Sequence, residues 1–167
     1  MAQIQKHKSC CQSGHSLLEA MIALLVFSIG LTGLTLLQLE TIRNQQTQSD
    51  HSRAIQLAAE LAEQINANPA AREAGLYDNL LSGDASACPI SSSCTPSAFA
   101  TAGFARWQQQ ATAVLPDATS LVCADDTPDD GHWLQPACDG GQRLAIKLWW
   151  LNRFGNDQRH VLPVNRG

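Results

Sequence analysis

The feature that most constrains this chain is an uncharged apolar run, Ala20 to Leu37, near its N-terminus. It is 18 residues long, which meets the lower end of what an α-helix needs to cross a bilayer core of about 30 Å. Its flanks are as informative as the run itself. Residues 1–14 hold two lysines, Lys6 and Lys8, no acid, and end in Gly14. Then come His15-Ser16-Leu17-Leu18-Glu19, with a lone carboxylate directly before the apolar run. Positive charge ahead of a first apolar segment holds that end in the cytoplasm and sends the remainder outward. An ordinary secretory signal differs, because its apolar core precedes the cut and is discarded with the leader. No apolar stretch precedes Cys10 or Cys11, which argues against a lipoprotein signal.

The order Gly14, His15, Ser16, Leu17, Leu18, Glu19 and then the run to Leu37 resembles the N-terminus of type IV prepilins and of the related pseudopilins of type II secretion. His15 stands where that pattern usually has Phe. The longer string from Leu17 to Leu31 is similar to PilV-type minor pilins, as are Ala62-Glu63-Gln64-Ile65-Asn66-Ala67-Asn68-Pro69 and Gly75-Leu76-Tyr77-Asp78. The resemblance implies a leader, residues 1–14, cut by a prepilin peptidase between Gly14 and His15, and N-methylation of the new terminus at His15. A Cβ at position 14 would hinder that cut. The resemblance further implies a single pass through the inner membrane, with the C-terminal domain periplasmic, followed by delivery to the pilus and cell surface. Other minor pilins and the major pilin would be the partners, and pilus assembly, twitching motility and adhesion the processes served. A pseudopilin shares the same N-terminus. A third reading, of a different class, is an uncut, membrane-anchored periplasmic binding module.

Glu19 carries the physical interest of this segment. An ionised carboxylate within an apolar helix costs about 2.5–3.5 kcal/mol by insertion scales, and such groups tend to be functional. A free α-amine on His15, with a reference pKa of about 7.7–8.0, would be mostly charged at pH 7. Two unit charges about 4 Å apart attract by about 4 kcal/mol at an effective dielectric near 20. Pairing would therefore offset burial. As the resemblance implies, a neighbouring subunit's amine would set the register of assembly through Glu19.

Charge and cysteine usage narrow the remainder. The full chain has a net charge of −4, with 11 Lys+Arg and 15 Asp+Glu. Without Lys6 and Lys8, nine basic residues face the same fifteen acids, giving −6. Nucleic-acid affinity rests on phosphate neutralisation by Lys and Arg, so no direct nucleic-acid partner is expected. Cys10 and Cys11 fall in the leader. Cys88, Cys94, Cys123 and Cys138 lie in the exported part, where an oxidising compartment permits pairing. Four cysteines allow three connectivities. Cys88–Cys94 with Cys123–Cys138 is favoured because both close local loops. Neither spacing is the Cys-x2-Cys kind that grips Zn²⁺, and no metal or cofactor is expected. The acids between Asp125 and Asp130 lack the EF-hand order and read as a solvated loop. His51, His132 and His160 show no ligand spacing. There is no Gly-x-Ser-x-Gly elbow, no defensible Cys–His pair and no phosphate-cradling glycine loop, so neither an enzyme nor a small-molecule substrate is expected.

Pattern predicts the architecture. From Ser16 the chain reads as one helix to Ala67, roughly 78 Å long: a transmembrane half, residues 15–39, and an amphipathic half, residues 40–68. In the second, Leu57, Ala58, Leu61 and Ile65 recur on one face, and Gln45 to Ser52 reads as an exposed polar neck. Asn68-Pro69 stops the helix, since the residue before Pro is pushed out of αR. A periplasmic domain, residues 69–167, follows. It holds a connecting region to Pro96 and a short helix around Phe104, Trp107, Ala111, Val114 and Leu115, ended by Pro116. Strands are predicted over 119–123, 143–152 and 159–164, with a turn-rich loop over 124–141. Leu144, Ile146, Leu148 and Trp150 alternate with Ala145, Lys147 and Trp149, so one tryptophan is placed in the core and the other against a partner or the helix, an interface candidate if it is exposed. The fold class is α+β and pilin-like: a long N-terminal helix packed on a small antiparallel sheet, with disulfide-tied loops.

Overall fold

A computed structural model describes residues 15–89 and 93–166. Helix α1 runs from His15 to Asn66. After it come α2 (Pro69–Glu73), β1 (Asn79–Leu80), a single 3-10 turn (Ala85–Ala87), α3 (Pro96–Val114), β2 (Thr119–Ala124), β3 (Leu144–Leu151) and β4 (Asp157–Val164). The chain divides into two compact units, one ending at Asn44 and the other spanning Gln45–Gly167.

Within the second unit, four strands form an antiparallel sheet in the order β1-β2-β3-β4. The register sets Val122 beside Ile146, and Ile146 beside Leu162. Cross-strand partners share a face. Val122, Leu144, Ile146, Leu148, Trp150 and Val164 therefore point the same way, into a core completed by Ala54, Leu57, Ala58, Leu61 and Ile65 of α1 and by Phe104, Trp107 and Ala111 of α3. The α1 positions repeat at three and four residues, the spacing of one helical stripe. Trp107 ties the two helices, its Nε1–H donating to the Leu57 carbonyl at 2.7 Å, which satisfies the ring's one polar atom inside the core.

The helix ends follow from local chemistry. Asn68 sits at φ −123°, ψ 65°, outside αR, as its place before Pro69 requires. It caps α2 by accepting from Ala71 N–H and donates to the Pro96 carbonyl at 2.9 Å. Helix α3 is longer than the pattern predicts. It starts at Pro96, capped by Thr95 Oγ1, which accepts from Ala98 N–H. Gly83 lets the preceding loop lie directly against α3, where a Cβ would meet the Thr101 carbonyl at 2.2 Å.

The opposite sheet face is also covered. Leu121, Cys123 and Trp149 pack with Trp133 and Cys138 of the β2–β3 loop. Both Trp149 and Trp150 are fully buried, so neither is an exposed interface residue. The second tryptophan, expected against a partner or the helix, is Trp149, and the β2–β3 loop covers it instead.

Two disulfides are present, Cys88–Cys94 and Cys123–Cys138, with Cα separations of 5.7 and 6.3 Å. The arrangement is the expected α+β one, of long helix, small antiparallel sheet and two disulfides, with β1 as a fourth strand beside the three predicted.

Candidate functional site: the N-terminal helix and the loop-covered sheet face

The first unit presents its side chains outward. Every residue from Ser16 to Asn44 is exposed, including Leu18, Met21, Ile22, Leu25, Phe27 and Ile29. A helix that is apolar all round and covers no core is matched to lipid or to other helices. By length and composition α1 is able to cross a membrane. The hydroxyls within the apolar run do not spoil that match, because each bonds within the helix. Ser28 Oγ donates to Leu24 O at 2.7 Å, Thr32 Oγ1 to Ser28 O at 2.6 Å and Thr35 Oγ1 to Leu31 O at 2.9 Å. Lipid supplies no partner for a polar group, so internal satisfaction is what allows Ser and Thr there. Gly30 and Gly33 have open space where a Cβ would sit, leaving a flat patch on the helix surface.

Glu19 lies on α1 one turn after His15 and is exposed. Side chains four apart share a helical face, so the carboxylate and the start of the helix lie on the same side. Gly14 and the rest of the 1–14 segment, including Cys10 and Cys11, lie outside the described residues, as does the His15 side chain. Residues 10–35 match the family model described as the Prokaryotic N-terminal methylation motif. The chain carries a prepilin-like methylation motif. The match covers the Gly14–Glu19 junction and most of the apolar run, and ends well before the four-stranded sheet begins. No curated protein matches this chain, and no solved structure does.

In the second unit the polar chemistry gathers where pattern reading places a solvated loop. Lys147 projects from β3 on the face opposite the helical core and is completely buried. Its ammonium pairs with Asp125 and Asp130 and donates to the Ala137 carbonyl at 2.8 Å. The Asp125 side chain is also fully buried. Burial pushes its carboxyl up from the ordinary value; the Lys147 hydrogen bond opposes the rise and one with Asp139 adds to it. Thr127 fixes the turn by donating N–H to Asp125 Oδ1 at 2.8 Å and Oγ1–H to Asp139 Oδ2 at 2.6 Å. Those contacts hold the Asp139 carboxyl below its usual range, Thr127 contributing most and Asp125 next.

The acids expected to be solvated are therefore divided. Asp125 is internal and Asp130 half-exposed, both serving Lys147, while Asp129 is outside, paired with Arg159 at 3.5 Å. The correction has a clear cause: the alternation of β3 commits Lys147 to a face that the loop covers, and a buried ammonium requires partners. Gly141, at φ +133°, leaves room for Asp126, whose Cγ would lie 2.3 Å from a Cβ there. Among the described residues, Cys123, Asp125 and Cys138 bring three ligand-type atoms within 4.8 Å of one another. Both sulfurs are used by the disulfide and Asp125 by Lys147, so the group works as a staple beside an ion pair.

The predicted neck also needs correction. Between Gln45 and Ser52, Asp50 is buried and ion-paired with Arg53 at 3.8 Å, and the His51 ring lies 5.9 Å from that of Trp150. Periodicity in apolar residues did not register these contacts because polar and aromatic groups make them.

Proposed function

We propose that this protein is a minor pilin of the PilV type, a subunit of a type IV pilus with a structural and not an enzymatic role. The single observation that supports it most is the methylation motif over residues 10–35. In this reading the 1–14 leader is removed by a prepilin peptidase between Gly14 and His15, and the new α-amine of His15 is methylated. Residues 15–39 of α1 anchor the subunit in the inner membrane, and the domain beyond residue 68 lies in the periplasm. The subunit then joins other minor pilins and the major pilin in a priming or tip complex, supporting assembly, twitching motility and adhesion.

Glu19 has a defined physical task in this scheme. Its carboxylate is exposed on the free helix and costs about 2.5–3.5 kcal/mol to hold in hydrocarbon. A neighbouring subunit's α-amine offsets that cost only in register, so the interaction rewards one helix offset over others. The test begins with intact mass and N-terminal sequencing of membrane-extracted protein, from strains with and without the peptidase. A start at methylated His15 that requires the peptidase is the expected result. An unprocessed N-terminus in both strains overturns the proposal. Glu19→Ala is expected to be processed normally but to be depleted from purified pili, and undiminished co-purification would remove Glu19 from the mechanism.

A further inference from the structure

We propose that His51 and His160 form a two-histidine site for a divalent transition-metal ion of the kind that prefers imidazole, with Cu²⁺ the tightest binder. The two residues stand 109 positions apart in sequence but face one another, His51 on the exposed surface of α1 and His160 half-exposed on β4. Their ring centroids are 5.7 Å apart, with the planes perpendicular. A metal held at about 2.0–2.1 Å by one nitrogen of each ring places the ring centres roughly 5–6 Å apart. The observed spacing fits an ion between them.

Their positions follow from the fold. His160 pairs with Leu148 across β3–β4 and so shares the face that α1 covers. His51 is brought to it by the same packing, over the fully buried Trp150. The last torsion of a histidine side chain is broad and soft, and His51 is exposed, so its ring is free to turn a nitrogen inward. The two imidazoles supply two ligands and water completes the shell from the open side. Imidazole suits Zn²⁺, Ni²⁺ and Cu²⁺, with Cu²⁺ highest in the divalent affinity order. The nearest acid in sequence, Asp50, is engaged by Arg53. Because the ligands come from a helix and a strand, an ion bound to both would also stabilise their packing by mass action.

Trp150 provides the readout. Metal-free, detergent-solubilised full-length protein is titrated with Cu²⁺ while tryptophan fluorescence is followed, and Zn²⁺ is added as a competitor. Saturable quenching is expected, reversed only by a large excess of Zn²⁺, with at least tenfold weaker Cu²⁺ binding in His51→Asn and in His160→Asn and unchanged binding in His132→Asn. Zn²⁺ should raise the melting temperature of the parent protein but not of the first two variants. His51 is exposed, so its variant reports even where His160→Asn lowers stability. No saturable quenching, or equal Cu²⁺ affinity in the parent and His51→Asn, overturns the site and leaves the pair as a packing contact.

Discussion

The two faces of β3 solve one problem in different ways. On the helix side, Leu144, Ile146, Leu148 and Trp150 meet α1 and α3 through apolar contacts. On the other, Ala145, Lys147 and Trp149 are just as buried, yet their cover is the β2–β3 loop, held by Cys123–Cys138, the Lys147 cluster and Trp133 Nε1 donating to Asp117 O at 2.6 Å. A helix brings an apolar stripe of its own, whereas a loop rich in Asp, Gly and Pro brings few apolar atoms and must be fastened. The difference teaches that the second face depends on a few specific bonds, where the first depends on summed area.

The largest expected effect breaks that fastening at its charge. Lys147→Met replaces the four-carbon stem with an unbranched apolar chain of similar reach but removes the ammonium and leaves Asp125 buried without its cation, a type of change that costs about 3–5 kcal/mol. Denaturant unfolding of the parent and variant is the measurement. Adding Asp125→Asn removes the unpaired charge and should recover most of the loss. If the double variant is no more stable than Lys147→Met alone, the ion pair is not what holds the loop down.

Next in size is the disulfide. Cys123→Ser with Cys138→Ser opens a loop of 15 residues of sequence separation, worth about 3 kcal/mol in the chain-entropy model. The loss should fall on one side of the sheet. Hydrogen exchange is expected to rise for residues 125–141 while the amides of α1 from Ala54 to Ile65 keep their protection. Equal loss on both faces would mean that the two covers act as one cooperative unit.

The same contrast explains what was legible in the sequence. The helix-side face was readable because period-two alternation in β3 and three-and-four spacing in α1 both register in apolar residues. The stop at Asn68-Pro69 and the local disulfide pairs were legible for similarly local reasons. The loop-covered face was not, since Lys147 reads as a polar strand position until its cover is known, and its partners Asp125 and Asp130 lie 22 and 17 residues away with no period. Strand β1, two residues long, is too short for any periodic signal. The early start of α3 did have a signal, the Thr95 cap followed by Pro96 at the first helical position, but the small residues after it hid the amphipathic stripe. At the N-terminus the order of residues carried the whole reading, because Glu19 and the apolar run need no tertiary partner within the chain to be recognised.

The smallest effect concerns a polar atom within the helix-side core. Tyr77 is buried there, and its hydroxyl accepts from Asn68 Nδ2 at 3.4 Å. Burial raises the phenol above its ordinary value of 10.0, against a smaller lowering by Asn68. In the unfolded chain the phenol ionises near pH 10, while the folded one still holds its proton. The native state therefore binds more protons in that window, and stability falls as pH rises through it. Below pH 10 both states are neutral and the contribution is fully present. Tyr77→Phe should flatten the decline between the two pKa values in urea midpoints measured from pH 8 to 11, with Lys147→Met as the comparison on the opposite face. A decline of the same steepness in Tyr77→Phe would remove the buried phenol as the source of the alkaline sensitivity of the helix-side core.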